Sequence, residues 1–131
     1  MQHVSRRDKL PLGRTLWRAR VLFCCHGAPT GFDLITADLS FISLTLVLPA
    51  LVPVLATGGD LLLLVKPQFE LQPGQVGKGG LVRDAALYPL VEQRLRECCA
   101  ALRLRVLGWH ESAISGGDGN REFFMHAQTV A

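Results

Sequence analysis

A run of five apolar residues, 61–65 (LLLLV), limits what this chain can fold into more than any other feature. Such a run without alternation is typical of a strand that is buried on both faces of a sheet. Residues 57–60 (TGGD) before it predict a turn, and Pro67 after it predicts the end of the strand. The run therefore favours a sheet with layers on both sides.

The remaining segments predict strands and helices that alternate along the chain. The order of elements is strand, helix, strand, helix, strand, strand, which favours an α/β fold with a mostly parallel sheet and crossover helices. The predicted strands are 32–38, 61–65, 105–110 and 122–128. The first helix is predicted to run from Ser40 or Ser43 to about Leu55 and to bend at Pro49, and the second, amphipathic helix covers 88–104. A long glycine-containing loop is predicted over 68–84.

The composition excludes several classes of protein. Of 131 residues, 49% are hydrophobic and only four are cysteine, so neither a disordered chain nor a disulfide scaffold fits. The longest apolar stretch, residues 41–56, contains two prolines and is shorter than the ~20 residues that a membrane span requires. We therefore expect no stable membrane association and a cytoplasmic location.

The cysteines form two adjacent pairs, Cys24–Cys25 and Cys98–Cys99. Zinc ligands are usually two to four residues apart, so that both thiolates face one ion. Adjacent cysteines meet this requirement poorly, although His26 follows the first pair. We expect no metal site, and small buried side chains are the favoured role of these cysteines.

Positive charge is concentrated at the start of the chain. Residues 1–20 contain six basic side chains and one acidic side chain, a net charge of +5, whereas the rest of the chain sums to −2. A basic arm of this kind can bind phosphate groups. A solvated terminus is the favoured interpretation on general grounds, and binding of phosphate groups stays open as the alternative.

Three charged residues fall where predicted strands begin or end: Asp38, Lys66 and Glu122. In open α/β sheets, ligands bind at the carboxyl ends of the strands. A lysine between two carboxylates can hold or move a proton at such an edge. The alternative is an ordinary salt bridge between strand-end charges, and spacing alone does not decide between the two.

Four segments in order resemble a known family: ADLSFISL at 37–44, LVKPQFE at 64–70, VGKGGLVRD at 76–84 and GNREF at 119–123. Together they resemble the hemolysin A (TlyA-type) proteins, a branch of the FtsJ-like ribosomal RNA 2′-O-methyltransferases. The resemblance covers residues 31–131. It implies a Rossmann-like three-layer sandwich, S-adenosylmethionine as cofactor, and ribosomal RNA or a ribosomal subunit as partner.

The resemblance also implies roles for individual residues. The family uses a Lys-Asp-Lys-Glu tetrad at the ribose 2′-hydroxyl, whose aspartate, second lysine and glutamate correspond to Asp38, Lys66 and Glu122. Asp38 and Leu39 would also contact the cofactor. No metal is implied, because the leaving group of the methyl transfer is a neutral thioether.

The chain departs from the family pattern upstream of residue 31. Neither the first tetrad lysine nor a glycine-rich cofactor loop finds a match there. We therefore expect residues 31–131 to be the C-terminal half of the catalytic domain, residues 1–30 to be an atypical basic arm, and the chain to be inactive alone. The missing first strands would leave an open sheet edge for self-association. A non-catalytic RNA-binding or assembly module and a membrane-active hemolysin-like protein are the alternatives.

Overall fold

The structure is a computed structural model that describes residues 31–130; the predicted basic arm, residues 1–30, lies outside the described residues. The order of strands and helices is as predicted. The strands are β1 (Phe32–Asp38), β2 (Leu55–Val65), β3 (Leu104–Glu111) and β4 (Phe123–Thr129), the helices are α1 (Leu44–Leu51) and α2 (Leu87–Ala101), and short 3-10 turns occur at Val52–Val54, Pro67–Phe69, Pro73–Gln75 and Lys78–Gly80.

The four strands form one mixed sheet in the order β1-β2-β4-β3. β1 and β2 are parallel, whereas β4 is antiparallel to both β2 and β3. Three strands thus run in the same direction, as expected, but only one neighbouring pair is parallel. The antiparallel strand arises because the connection between β3 and β4 contains no crossover helix and sends β4 back between β2 and β3.

The predicted turn at residues 57–60 is not a chain reversal; it lies within β2. Between the pairs Phe32–Leu55 and Leu34–Asp60, β1 advances two residues and β2 advances five. Gly58 has a φ of +73°, and a Cβ on Gly59 would lie 2.9 Å from the carbonyl oxygen of Phe32. The glycines therefore form a bulge in the ladder.

The first helix is shorter than predicted. α1 begins after Ser43, whose hydroxyl accepts a hydrogen bond from the amide of Thr45 at 3.2 Å, so Ser43 and not Ser40 is the N-cap. Pro49 lies inside α1, and the chain continues from Val52 to Val54 as a 3-10 turn before β2. In the part of the chain that the structure describes, no helix is long and apolar enough to cross a membrane.

Both helices pack on one face of the sheet, here called the covered face. Their core residues share full or nearly full burial with the inward residues of β2 and β4: Leu44, Val47, Leu48, Leu51, Val91, Leu95, Cys99, Leu61, Leu63, Val65, Met125 and Ala127. Cys99 Sγ lies 4.0 Å from Met125 Sδ, and burial raises the pKa of the Cys99 thiol to about 11. Cys99 is therefore an uncharged core side chain at neutral pH.

The opposite face of the sheet, here called the open face, has no covering layer among residues 31–130. Leu62 and Phe124 are each 38% exposed there, and Leu34 is also exposed. Within residues 31–130, Leu62 does not meet the prediction that residues 61–65 are buried on both faces, because both described helices pack on the other side.

Candidate functional site

Asp38 and Lys66 meet at the carboxyl edge of the parallel pair. β1 ends at Asp38 and β2 ends at Val65, so the two chain ends leave the sheet side by side. Lys66 Nζ lies 2.7 Å from Asp38 Oδ1 and donates a hydrogen bond to Ser40 Oγ at 3.0 Å. The edge of the sheet thus brings together two of the three residues that strand-end reasoning selected.

The two members of this ion pair differ in their access to solvent. The side chain of Lys66 is 16% exposed, whereas that of Asp38 is 67% exposed. An ammonium group has three donors, and Asp38 and Ser40 take two of them. The pair therefore presents an oriented N–H group and an open carboxylate oxygen at the same point.

Glu122 lies at the same edge, but its side chain does not reach Lys66. The last antiparallel pair of β2 and β4 is Val65 opposite Phe123. Lys66 follows Val65 and Glu122 precedes Phe123, so the two residues would be the next pair in this register. Among residues 31–130, Lys66 has an ion pair with Asp38 and none with Glu122. A Cβ on Gly116 would lie 2.7 Å from Glu122 Oε1, so the carboxylate rests against the turn before β4.

Two further residues are close in sequence to the ion pair. Leu39 follows Asp38 and is partly buried against the core. Gln68, two residues after Lys66, has a buried side-chain oxygen with no hydrogen-bond partner. A buried acceptor of this kind needs a donor, because desolvation without a hydrogen bond costs free energy.

Sequence reasoning did not assign a role to Asn120, which is fully buried. Its Oδ1 accepts a hydrogen bond from the amide of Val82 at 2.8 Å, and its Nδ2 donates to the carbonyl of Gly80 at 2.7 Å. Asn120 therefore joins the glycine-containing loop to the turn that precedes Glu122. Its position inside the GNREF motif was the only available signal.

Glu70 was also missed as a structural element of the site. It is 3% exposed, and its carboxylate accepts hydrogen bonds from the amide of Leu44 at 2.8 Å and from the Ser43 hydroxyl at 2.5 Å. Burial raises the pKa of Glu70, while these two hydrogen bonds and the charge of Arg94 oppose the increase. Glu70 anchors the segment after Lys66 to the N-terminus of α1.

An exposed aromatic ring stands at the same edge. Phe41 is 84% exposed and has a φ of +63°, an uncommon conformation for a residue with a side chain. Its ring centroid lies 5.0 Å from that of Phe69. Within residues 31–130, no group of three or more His, Cys, Asp or Glu side chains is arranged to hold a metal ion.

Comparison with known proteins identifies relatives over most of the chain. A 16S/23S rRNA (cytidine-2'-O)-methyltransferase, TlyA, of Mycobacterium tuberculosis is 48% identical over 103 residues, which are 74% of this chain and 36% of that protein. Hemolysin A of Brachyspira hyodysenteriae is 32% identical over 94 residues, covering 72% of this chain and 39% of its own length. A solved structure described as a hemolysin from Streptococcus thermophilus has a TM-score of 0.72 and 39% identity, over 75% of this chain and 35% of that one.

The chain spans only about a third of the length of these relatives. The FtsJ-like methyltransferase family matches residues 5–129, so the match extends across most of residues 1–30; the domain boundary at residue 30 stays a prediction. The sheet of α/β type, its helices and the similarity to these proteins confirm the Rossmann-like fold class. On this match, the chain belongs to the FtsJ-like methyltransferase family.

Proposed function

We propose that this chain carries the substrate side of the catalytic centre of a ribosomal RNA ribose 2′-O-methyltransferase that acts in the cytoplasm. The observation that carries the proposal is the ion pair between Lys66 and Asp38, 2.7 Å long, at the carboxyl edge of parallel strands. The name of the 48% identical relative from Mycobacterium tuberculosis supports this reaction and substrate class.

The residues divide the chemistry between them. S-adenosylmethionine supplies, when bound, a methyl group on a positively charged sulfur. Lys66 directs its remaining N–H group at the ribose 2′-oxygen, where it steers the hydroxyl and offsets the negative charge that develops as the hydroxyl proton leaves to water. Asp38 and Ser40 fix the position of Lys66. Glu122, directly before β4 at the same edge, would orient the hydroxyl once its carboxylate turns from Gly116 toward the substrate.

The described residues fit one side of a cofactor pocket. The open oxygen of Asp38 and the unpartnered Gln68 oxygen are acceptors, and S-adenosylmethionine carries amino and hydroxyl donors. Leu39, which follows Asp38 and is partly buried against the core, would supply an apolar contact. These three residues would hold the cofactor only together with further residues, so we expect the chain alone to bind it weakly and to be inactive.

Self-association forms part of the proposal. β1 is the end strand of the sheet, and one of its edges has no strand beside it among residues 31–130. An unpaired edge is a template for pairing with a second chain.

The net charge of +5 in residues 1–20 also supports the alternative of a non-catalytic RNA-binding module.

A chimera tests the catalytic proposal. The part of the Mycobacterium tuberculosis relative that precedes its matching region is joined to residue 31 of this chain, and transfer of labelled methyl groups to ribosomal subunits is measured. We expect transfer, reduced at least ~100-fold by Lys66→Met. Arg105→Met, which removes an exposed cation far from the edge, serves as the control and should leave the rate unchanged.

Two results would contradict the proposal. One is a folded chimera that binds S-adenosylmethionine and transfers nothing to ribosomal RNA. The other is an active chimera in which Lys66→Met transfers methyl groups as fast as the parent. Loss of transfer in Lys66→Met with retained RNA affinity would instead separate the catalytic role from the RNA-binding alternative.

A further inference from the structure

The open face of the sheet has a defined pattern of side chains. Residues paired across strands lie on the same face, and the register aligns Thr36, Leu62 and His126 in one row. One adjacent row contains Leu34, Asp60, Gln128 and Arg105, and the other contains Asp38, Leu64, Phe124 and His110. The face therefore has an apolar centre on the two middle strands, β2 and β4, and polar groups around it.

This apolar centre is exposed. Leu62 and Phe124 each remain 38% exposed, although they lie on inner strands of the sheet. In α/β proteins, both faces of the sheet are normally covered, because large apolar side chains left in water forfeit the free energy of burial. The face thus requires a covering segment.

The chain itself contains a segment within reach. Gly31, whose amide donates to the carbonyl of Val54 at 3.0 Å, directly precedes β1, the end strand of the sheet. Leu22 and Phe23 precede Gly31 by eight to nine residues, which span at most ~30 Å when extended. Four strands are only ~14 Å wide from first to last, so these residues can reach any point of the face.

The composition of this segment complements the face. Residues 14–25 (RTLWRARVLFCC) combine large apolar side chains with three arginines and no acidic residue. Asp60 supplies a carboxylate on β2, half-exposed beside His126 at 2.7 Å. Arginine forms hydrogen-bonded ion pairs with carboxylates, so one of the three arginines of this segment can pair with Asp60.

The family match gives independent support. It begins at residue 5, so the segment is matched as part of the same domain as the sheet. We propose that residues 14–25 of this chain cover the open face, with their apolar side chains on Leu62 and Phe124 and an arginine at Asp60. This contact is independent of the methyl-transfer proposal, because it requires neither cofactor nor RNA.

Fluorescence of the full chain tests the contact. The chain has two tryptophans, Trp17 in the covering segment and Trp109, whose ring stacks on Phe123 at 5.5 Å. Trp109→Phe leaves Trp17 as the only reporter. We expect blue-shifted Trp17 emission and several-fold slower acrylamide quenching than for a free tryptophan, at concentrations where sedimentation shows a monomer.

Substitutions on the face should release the reporter. Leu62→Asp with Phe124→Asp, in the Trp109→Phe background, should shift Trp17 emission to the red and restore quenching. Ile114→Asp is the matched control, because Ile114 is 77% exposed in a loop outside the sheet, and it should change neither quantity. Circular dichroism checks that the variants fold.

A second measurement leaves the sheet unchanged. Hydroxyl-radical labelling of Phe124 is compared between the native chain and Trp17→Asp, and we expect labelling to rise several-fold in the variant. Trp17 that is quenched as fast as a free tryptophan, or Phe124 labelling that does not change, would overturn the proposal. Protection that disappears on dilution as a dimer dissociates would also overturn it, since a second copy would then be the cover.

Discussion

The two faces of the sheet are made from alternate residues of the same strands, yet their environments differ completely. Leu61 and Leu63 are fully buried on the covered face, whereas Leu62 between them is 38% exposed on the open face. Successive side chains of a strand point in opposite directions, so only every second leucine points toward the helices. A uniform run of leucines hides this asymmetry, which depends on where α1 and α2 pack.

Polar side chains also differ between the buried parts of the molecule and the open face. Asn120 and Glu70 are buried, and each side chain accepts or donates two hydrogen bonds to backbone or hydroxyl partners far away in the chain. On the open face, Asp60 bonds His126 and Gln128 but remains accessible to water. Burial without full hydrogen bonding is costly, whereas water can replace an exposed partner.

The largest expected effect compares adjacent leucines. Leu63→Ala removes a fully buried side chain from the covered face and should lower the free energy of unfolding by ~2–5 kcal/mol. In a chain that lacks residues 1–30, Leu62→Ala should lower the free energy of unfolding by less than ~1 kcal/mol, because Leu62 is already partly exposed. The decrease should be larger in the full chain if residues 14–25 cover the open face. Urea unfolding measures the change in unfolding free energy for each variant. Equal changes for Leu62→Ala and Leu63→Ala in the shortened chain would contradict the contrast between the two faces.

A smaller effect is expected at Asn120. Asn120→Ala leaves the Val82 amide and the Gly80 carbonyl without their buried partner and should cost ~1–3 kcal/mol, with faster hydrogen exchange at Val82. Asn120→Asp keeps the acceptor for Val82 but loses the donor, so exchange at Val82 should rise less. Gln128→Ala on the open face is the control and should cost under ~1 kcal/mol; a larger loss there than at Asn120 would break the comparison.

The smallest effect is the pH dependence caused by Glu70. Because burial raises its pKa above the usual 4.5, the folded state holds the proton more tightly than the unfolded state. The contribution of Glu70 to the free energy of unfolding is therefore greatest below pH 4.5 and falls as the pH rises through the raised value, by at most ~1.4 kcal/mol per pH unit.

Glu70→Gln removes this titration and should flatten the profile of unfolding free energy from pH 4 to 8. Glu97→Gln, on the exposed side of α2, should leave the profile as in the native chain. A native profile that rises with pH in the range where Glu70→Gln is flat would show the opposite sign and contradict the assigned effect of burial. Chemical denaturation at each pH provides the data.

Local patterns were sufficient for most elements. The strand over 32–38 coincides with β1, and the helix predicted over 88–104 is observed as Leu87–Ala101. Residues 57–60 were predicted as a turn because glycine pairs usually reverse the chain. Their position in a bulge depends on pairing with β1, an interaction that a short segment of sequence does not contain.

The candidate site shows the same division. Asp38 and Lys66 could be selected because the carboxyl ends of parallel strands meet at one edge, whichever residues intervene. Glu122 comes to that edge by register with β2, but its carboxylate turns to Gly116, which strand-end reasoning could not foresee. Asn120 and Glu70 were missed because their partners lie 26 to 40 residues away.

The sequence by itself determined the order of strands and helices, the motifs of the family and the charged residues at the strand ends. These features depend on periodicity and on neighbouring residues, which the linear chain records. The tertiary structure decided that β4 lies between β2 and β3, that Leu62 faces away from the helices, and that Lys66 pairs with Asp38 and not with Glu122. These features depend on contacts between distant segments, whose free energies are set only when the whole sheet is assembled.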